Sequence, residues 1–177
     1  EVDFIVLSPG ISLKKTKHRK KLIKYKNKII TDIDLLYLNN KELKSIVVTG
    51  SNGKSTTCKI IAHLLKDNNF SVKLGGNIGT PVLSLENKKN HFFVIEASSF
   101  QLSHSKFISP DYAILLNITN DHLDWHGSKQ NYIKSKLKIF NLQNKNNYAL
   151  INKKYKKIFK KNKYLNKFVS LKLNDYT

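Results

Sequence analysis

Apolar residues in this chain fall into two rhythms, short β-branched or aromatic runs and longer stretches at helical spacing. Ile46, Val47 and Val48 form one run and predict a buried strand, after which Ile60, Ile61, Leu64 and Leu65 recur along one side of a helix. The alternation repeats on both sides of this unit. Residues 3–7 (DFIVL) and 28–30 read as short strands, and 31–38 as a short helix with Ile33, Leu35, Leu36 and Leu38 available for burial. Residues 70–74, 91–95 (HFFVI), 112–118 (YAILLNI), 148–151 and 167–171 supply further strands, and the near-continuous apolar character of HFFVI marks a central one. A helix is expected from a cap at Ser128 to about Phe140, with Tyr132, Ile133, Leu137 and Phe140 apolar, and a basic helix over 153–161. The reading is an α/β fold with a mostly parallel sheet flanked by helices.

The loop after the 46–48 strand brings in chemistry. It runs Thr49-Gly50-Ser51-Asn52-Gly53-Lys54-Ser55-Thr56 directly into the amphipathic helix. Backbone N–H groups of such a loop and of the helix start face an anion, Lys54 adds a full positive charge, and the Ser55 hydroxyl is suited to Mg²⁺. The usual phosphate-loop spacing asks for glycine five residues before Gly53, where this chain has Val48, so the loop is a shorter variant. A Gly-Lys-Ser turn that merely caps a helix stays open from the tripeptide alone. A strand before it and an amphipathic helix after it favour a phosphate site whose ligand is a nucleoside triphosphate.

Other candidates sit at the ends of the expected strands. Ser8-Pro9-Gly10 leaves the first strand where α/β sheets place ligands, although on these three residues alone an ordinary tight turn is the favoured reading. Gly75-Gly76-Asn77-Ile78-Gly79-Thr80-Pro81 is a second glycine-rich loop, suited to close backbone approach to a ligand or to a long tight turn, with Asn77 able to meet substrate or metal-bound water. Glu96 ends the HFFVI strand, where a carboxylate beside a phosphate loop holds Mg²⁺, and where exposed glutamates are also common. Residues 119–127 (TNDHLDWHG) are dense in metal-ligating groups. His122 and His126 are four apart, but Leu123 follows His122, so the zinc-protease pattern fails, leaving His122 as a Mg²⁺ or Mn²⁺ ligand or a capping or core histidine. Lys136 shares a helix face with Tyr132, and taken alone reads as a surface lysine.

Composition narrows the setting. A chain of 177 residues with 40% hydrophobic residues carries one α/β domain, or one domain and a piece of another. It has no Met and opens at Glu1 in the lead-in to a strand, and it stops at Asp175-Tyr176-Thr177 without a capping signal, so a fragment of a longer product is expected. No apolar run approaches a membrane span or a signal-peptide core, and the single Cys58 excludes an internal disulfide, which fits the cytoplasm. The net charge of +20 points toward a polyanion such as nucleic acid. Arg19 is the only arginine, however, and the lysines are interleaved with Asn and Ile. Base-reading surfaces rely on Arg. The basic stretch 14–28, with Leu22, Ile23 and Tyr25 as its apolar anchors, is accordingly a solvated helix face. A basic phosphate-loop module that binds nucleic acid remains the alternative of a different class.

In this order TGSNGKST (49–56), GGNIGTP (75–81), IEASSFQL (95–102), LNITNDHLDWHG (116–127) and YIKSKLKIF (132–140) closely resemble the Mur ligases, most of all their D-glutamate-adding branch. Folylpolyglutamate synthases and the other Mur ligases are the near alternatives. The resemblance implies an ATP-binding central domain over 41–177, truncated at its end, preceded at 1–40 by a remnant of a Rossmann-like UDP-sugar-binding domain. It implies that Gly50, Ser51, Asn52, Gly53, Lys54, Ser55 and Thr56 cradle ATP, with Lys54 on the β- and γ-phosphates. Two Mg²⁺ ions would be held by Ser55, Glu96 and His122, and by Lys136 once carbamylated. Catalytic roles fall to Lys54, Glu96, His122 and Lys136, and substrate contacts to Ser8, Pro9, Gly10, Asn77, Ser98 and Gln101. The implied substrates are UDP-N-acetylmuramoyl-L-alanine and D-glutamate, joined through an acyl phosphate by a cytoplasmic monomer with no nucleic-acid or membrane partner.

Overall fold

The computed structural model describes residues 2–13, 15–40, 42–85, 90–119 and 121–171. Lys14, Asn120 and the chain end at 175–177, which figure in the sequence reading, lie outside these residues. Among the described residues there are two parallel sheets. The smaller pairs β1 (Ile5–Val6) with β2 (Ile29–Ile30), and the larger has six parallel strands in the order β4-β5-β3-β6-β7-β8. The latter are β3 (Lys44–Thr49), β4 (Ser71–Gly76), β5 (His91–Glu96), β6 (Tyr112–Leu115), β7 (Tyr148–Asn152) and β8 (Lys167–Leu171).

The side-chain alternation of β3 explains the layering. Ile46 and Val48 face one side, where they meet Val94, Ile114, and Cys58 and Ala62 of α3 (Lys54–Asp67). Val47 faces the other, larger core with Phe93, Ile95, Ala113, Leu115, Ala149 and Ile151. Ile33 and Leu36 of α2 (Asp32–Asn39), Leu102 of α4 (Ser99–His104), Leu137 of α6 (Lys129–Leu137) and Phe159 of α7 (Lys156–Lys161) cover that side. Each Val, Leu, Ile or Phe among them contributes about 1.5–3 kcal/mol on full burial, which is why a strand apolar on both faces must be central. The polypeptide leaves β3 toward β4 on one flank, and later crosses from β5 to β6 on the other. That reversal makes the carboxyl end of β3 a topological switch point, the crevice where open α/β sheets bind ligands.

Several expectations change in detail. The 3–7 strand contracts to Ile5–Val6, and the basic 14–28 stretch yields only α1 (Arg19–Lys24), which buries no residue, and one 3₁₀ turn. The 112–118 strand stops at Leu115, because the next residues turn across the phosphate loop: Leu116 N–H donates to Thr49 O and Ser51 N–H to Asn117 O. Helix α4 was not expected. It carries a capping box in which Ser98 Oγ accepts from Gln101 N–H while Gln101 Oε1 accepts from Ser98 N–H. A second box, Thr31 with Asp34, starts α2. Asp34 is fully buried, and its Oδ1 accepts from Ser105 Oγ and from the N–H groups of Lys106 and Phe107, tying α2 to the segment after α4.

Candidate active site

The phosphate loop follows from β3. Thr49 Oγ1 donates to Ala97 O at 2.8 Å, anchoring the strand end to the segment after β5. Gly53 takes φ +82°, a left-handed turn that glycine adopts without strain, and α3 begins at the next residue. No side chain caps α3, so its first-turn N–H groups, which lack intrahelical partners, face the loop. Lys54 Nζ donates to Gly50 O at 3.0 Å and to Ser51 O at 2.8 Å, which places an ammonium in the loop's concavity. Asn52 and Thr56 are exposed beside it.

Glu96 ends β5, the neighbour of β3, and is 2% exposed. Ser55 Oγ donates to its Oε2 at 2.6 Å and Asn77 Nδ2 to its Oε1 at 2.9 Å. The glycine-rich segment 75–81 serves that contact differently from expectation. Gly75 and Gly76 belong to β4, and a Cβ on Gly76, whose φ is +110°, would lie 2.3 Å from Glu96 O. The glycine lets backbone approach backbone, not ligand, and so brings Asn77 onto the carboxylate.

From the far side, α6 brings in Lys136. This side chain is 1% exposed, its Nζ donates to Gly50 O at 2.7 Å and sits 4.7 Å from the Tyr132 ring centroid. Burial, reinforced by the nearby Lys54 charge and opposed by Asp121, lowers its pKa to about 7. The residue that reads as a surface lysine in sequence is therefore a buried amine with a partly neutral population. His122 takes φ +50° and starts the short α5 (Leu123–His126), with Nε2 3.3 Å from Asp121 Oδ2 and its ring 4.7 Å from that of Phe100. His126 is instead a core residue. It is 5% exposed, its ring nitrogens contact Ser99 Oγ and Ser135 Oγ, and burial, followed by the Lys136 charge, lowers its pKa to about 4.

These groups converge on a cavity of about 90 Å³ lined by Gly50, Ser51, Lys54, Asn77, Ser98, His122 and Lys136, among others. Ser55 and Glu96 join it through the hydrogen bonds above. Gln101 does not line it: its Oε1 is spent on Ser98, its Nε2 donates to Asp32, and it is 2% exposed. Ser8, Pro9 and Gly10 form a turn at the end of β1, with Ile11 N–H donating to Ser8 O, and are also absent from its lining. A larger cavity of about 490 Å³ lies between α1 and α6, but it contains neither the phosphate loop nor a carboxylate, so its size does not mark the chemistry.

Sequence reasoning missed Asn117, whose carboxamide meets Ser51 and Asn52, and the Tyr132 hydroxyl, 2.7 Å from Ser51 Oγ. Both contacts join residues more than 60 positions apart, and only the TNDH run beside Asn117 hinted at a site. Among the described residues no three His, Cys, Asp or Glu side chains cluster as a ready-made metal site. The donors present, the Glu96 carboxylate and the Ser55 hydroxyl with His122 across the cleft, are oxygen-rich and suit a hard cation that shares phosphate ligands, so the set fits Mg²⁺ better than zinc.

Comparison with known proteins places the chain in a family. The chain is 47% identical over 152 residues to the UDP-N-acetylmuramoylalanine--D-glutamate ligase of Rickettsia bellii (strain RML369-C), covering 85% of this chain and 33% of that protein. It is 46% identical over 142 residues to the Wolbachia pipientis wMel protein of the same name, covering 80% and 28%. The chain thus spans about a third of the length of the curated relatives it matches. Among solved structures, MurF ligase from Thermotoga maritima in complex with ADP superposes with a TM-score of 0.62 at 26% identity, covering 81% of this chain and 38% of that one. The model of the Mur ligase middle domain matches residues 48–175, and the chain belongs to that family.

Proposed function

We propose that the complete protein is an ATP-dependent carboxylate–amine ligase that adds D-glutamate to UDP-N-acetylmuramoyl-L-alanine in peptidoglycan precursor synthesis. The observation that carries this reading is the convergence of Lys54, the Ser55–Glu96 pair, His122 and Lys136 at the carboxyl ends of β3, β5 and the segment after β6. Relatives named for that reaction at 44–47% identity favour D-glutamate as the amine. In this reading residues 41–177 form the ATP-binding unit and residues 1–40 part of the UDP-sugar unit, with Ser8-Pro9-Gly10 in the latter's pocket, and the protein works as a cytoplasmic monomer. No helix among the described residues is long and apolar enough to cross a membrane.

A carboxylate resists attack by an amine, so it must first carry a leaving group. Its oxygen attacks the γ-phosphorus of ATP, ADP departs, and the acyl phosphate accepts the D-glutamate amine at carbon, losing phosphate and one proton. The residues contribute positioning and charge. Lys54 exchanges its loop carbonyls for phosphate oxygens, and the free N–H groups of the α3 start take the remaining negative charge. Ser55, Glu96 and His122 would hold Mg²⁺, which screens the phosphates as a Lewis acid when bound. Asn77 holds Glu96 in place. Near neutrality Lys136 offers a free amine that adds CO₂ and releases a proton, and the resulting carbamate turns a buried cation into an anionic oxygen ligand for a second ion.

The test is ADP release by the complete protein. It should require both UDP-N-acetylmuramoyl-L-alanine and D-glutamate, and Lys54→Ala should lower it by about 10²–10³-fold or more. Release driven instead by a folate with L-glutamate, or undiminished in Lys54→Ala, would contradict the assignment.

A further inference from the structure

The phosphate loop is two residues shorter between its glycines than the common form, and something outside it must keep it open. Asn117, two residues past the end of β6, meets it on three atoms. Its Oδ1 accepts from Ser51 N–H at 3.0 Å and Asn52 N–H at 2.9 Å, and its Nδ2 donates to Asn52 O at 3.0 Å. The Asn117 backbone carbonyl accepts from Ser51 N–H as well, at 3.1 Å. Close packing accompanies these bonds, since a Cβ on Gly50 would lie 3.1 Å from Leu116 Cβ and 3.4 Å from Asn117 N. Tyr132 grips the same loop from α6, through Ser51 Oγ, which in turn accepts from Thr119 N–H at 2.9 Å.

We infer that Asn117 is a positioning residue for nucleotide binding, one that sets the loop's shape and decides which of its N–H groups serve the phosphates; this rests on reading the loop as the nucleotide site. A carboxamide is the side chain the task demands. Two N–H groups and one carbonyl converge on it, and only an amide presents an acceptor and a donor in one plane at that spacing. The N–H groups of Ser51 and Asn52 are spent on Asn117, so phosphate binding falls to the N–H groups from Gly53 onward and to Lys54. The strand end that turns across the loop thereby replaces the longer glycine arch as the loop's support. Asn117 touches no phosphate in this arrangement. It acts through backbone.

The experiment compares the wild type with Asn117→Ala in two measurements, ADP affinity by calorimetry with Mg²⁺ and hydrogen exchange of individual backbone amides. Loss of a clamp of this size should weaken ADP binding by about tenfold or more. In the same variant the Asn52 amide should lose protection, while the Ser51 amide, which also donates to the Asn117 backbone carbonyl, and those in the middle of α3 keep theirs, a pattern that general destabilisation does not produce. Asn117→Ala with wild-type ADP affinity, or with the Asn52 amide still protected, overturns the inference. If the wild type itself fails to bind ADP, the reading of the loop as a nucleotide site fails, and the exchange pattern still decides whether Asn117 shapes it. Should Asn117→Ala not fold, Asn117→Asp has the same outline but turns an acceptor toward Asn52 O. Unchanged ADP affinity in that variant overturns the inference equally.

Discussion

Lys136 is the residue whose environment departs furthest from its sequence appearance. Its amine titrates near 7 in the fold against 10.5 for an ordinary lysine, chiefly through burial. The sign of the stability effect follows. Below 7 both native and unfolded chains carry the proton, and the native state bears the cost of a buried ammonium. Between 7 and 10.5 the unfolded chain binds the extra proton, so this group's contribution to stability rises with pH across that window. Lys136→Met removes the titration, and Gly50 O keeps Lys54 as a donor. In CO₂-free buffer the variant's stability relative to wild type should therefore be greatest at about pH 6 and decline toward about pH 9. Urea midpoints that differ by the same amount at both pH values would contradict the assignment.

At the scale of elements, the second glycine segment is a joint between strands. Gly76 pairs with Glu96 across β4 and β5, and its positive φ and lack of a Cβ let Asn77 reach the carboxylate. Gly76→Ala should cost more than about 2 kcal/mol, since both the backbone conformation and the 2.3 Å approach to Glu96 O resist a methyl group. Chemical denaturation measures this, and a loss below about 0.5 kcal/mol would show that β4 yields freely. Local chemistry made much of this level legible. Glycines and flanking apolar rhythms announced the strand–loop–helix turn from β3 into α3, and the Ser128 cap and the runs of β3, β5 and β7 fell where the pattern put them. Helix α4 is too short, at six residues, to show a helical period in sequence, although Ser98 and Gln101 stand at capping-box spacing. Gln101 is expected to contact substrate only through the family resemblance; its bond to Asp32 spans 69 positions, and no local pattern encodes it.

For the whole molecule, topology does what no single motif can. Reversal of direction at β3 sets the phosphate loop, the end of β5 and the exit of β6 around one crevice, so residues from 50 to 136 share a cavity. The sequence order of motifs carried that information only through resemblance to the Mur ligases, since the pairing of β3 with both β5 and β6 is a long-range choice of the sheet. The charge of +20 is a poor guide at this scale. In the cleft two lysines, 54 and 136, share one carbonyl acceptor, Gly50 O, and in the proposed function a polyphosphate would relieve their mutual repulsion.

The central claim is that a nucleotide and its metal bind at the carboxyl ends of these strands. Hydrogen exchange of the protein with and without ADP and Mg²⁺ locates that footprint directly. The account predicts slowed exchange in residues 50–56, 117–119 and 121–122, with the opposite end of the sheet, around Lys44, Asp111 and Tyr148, unchanged. Protection confined to that opposite end, or to the cavity beside α1, would contradict it.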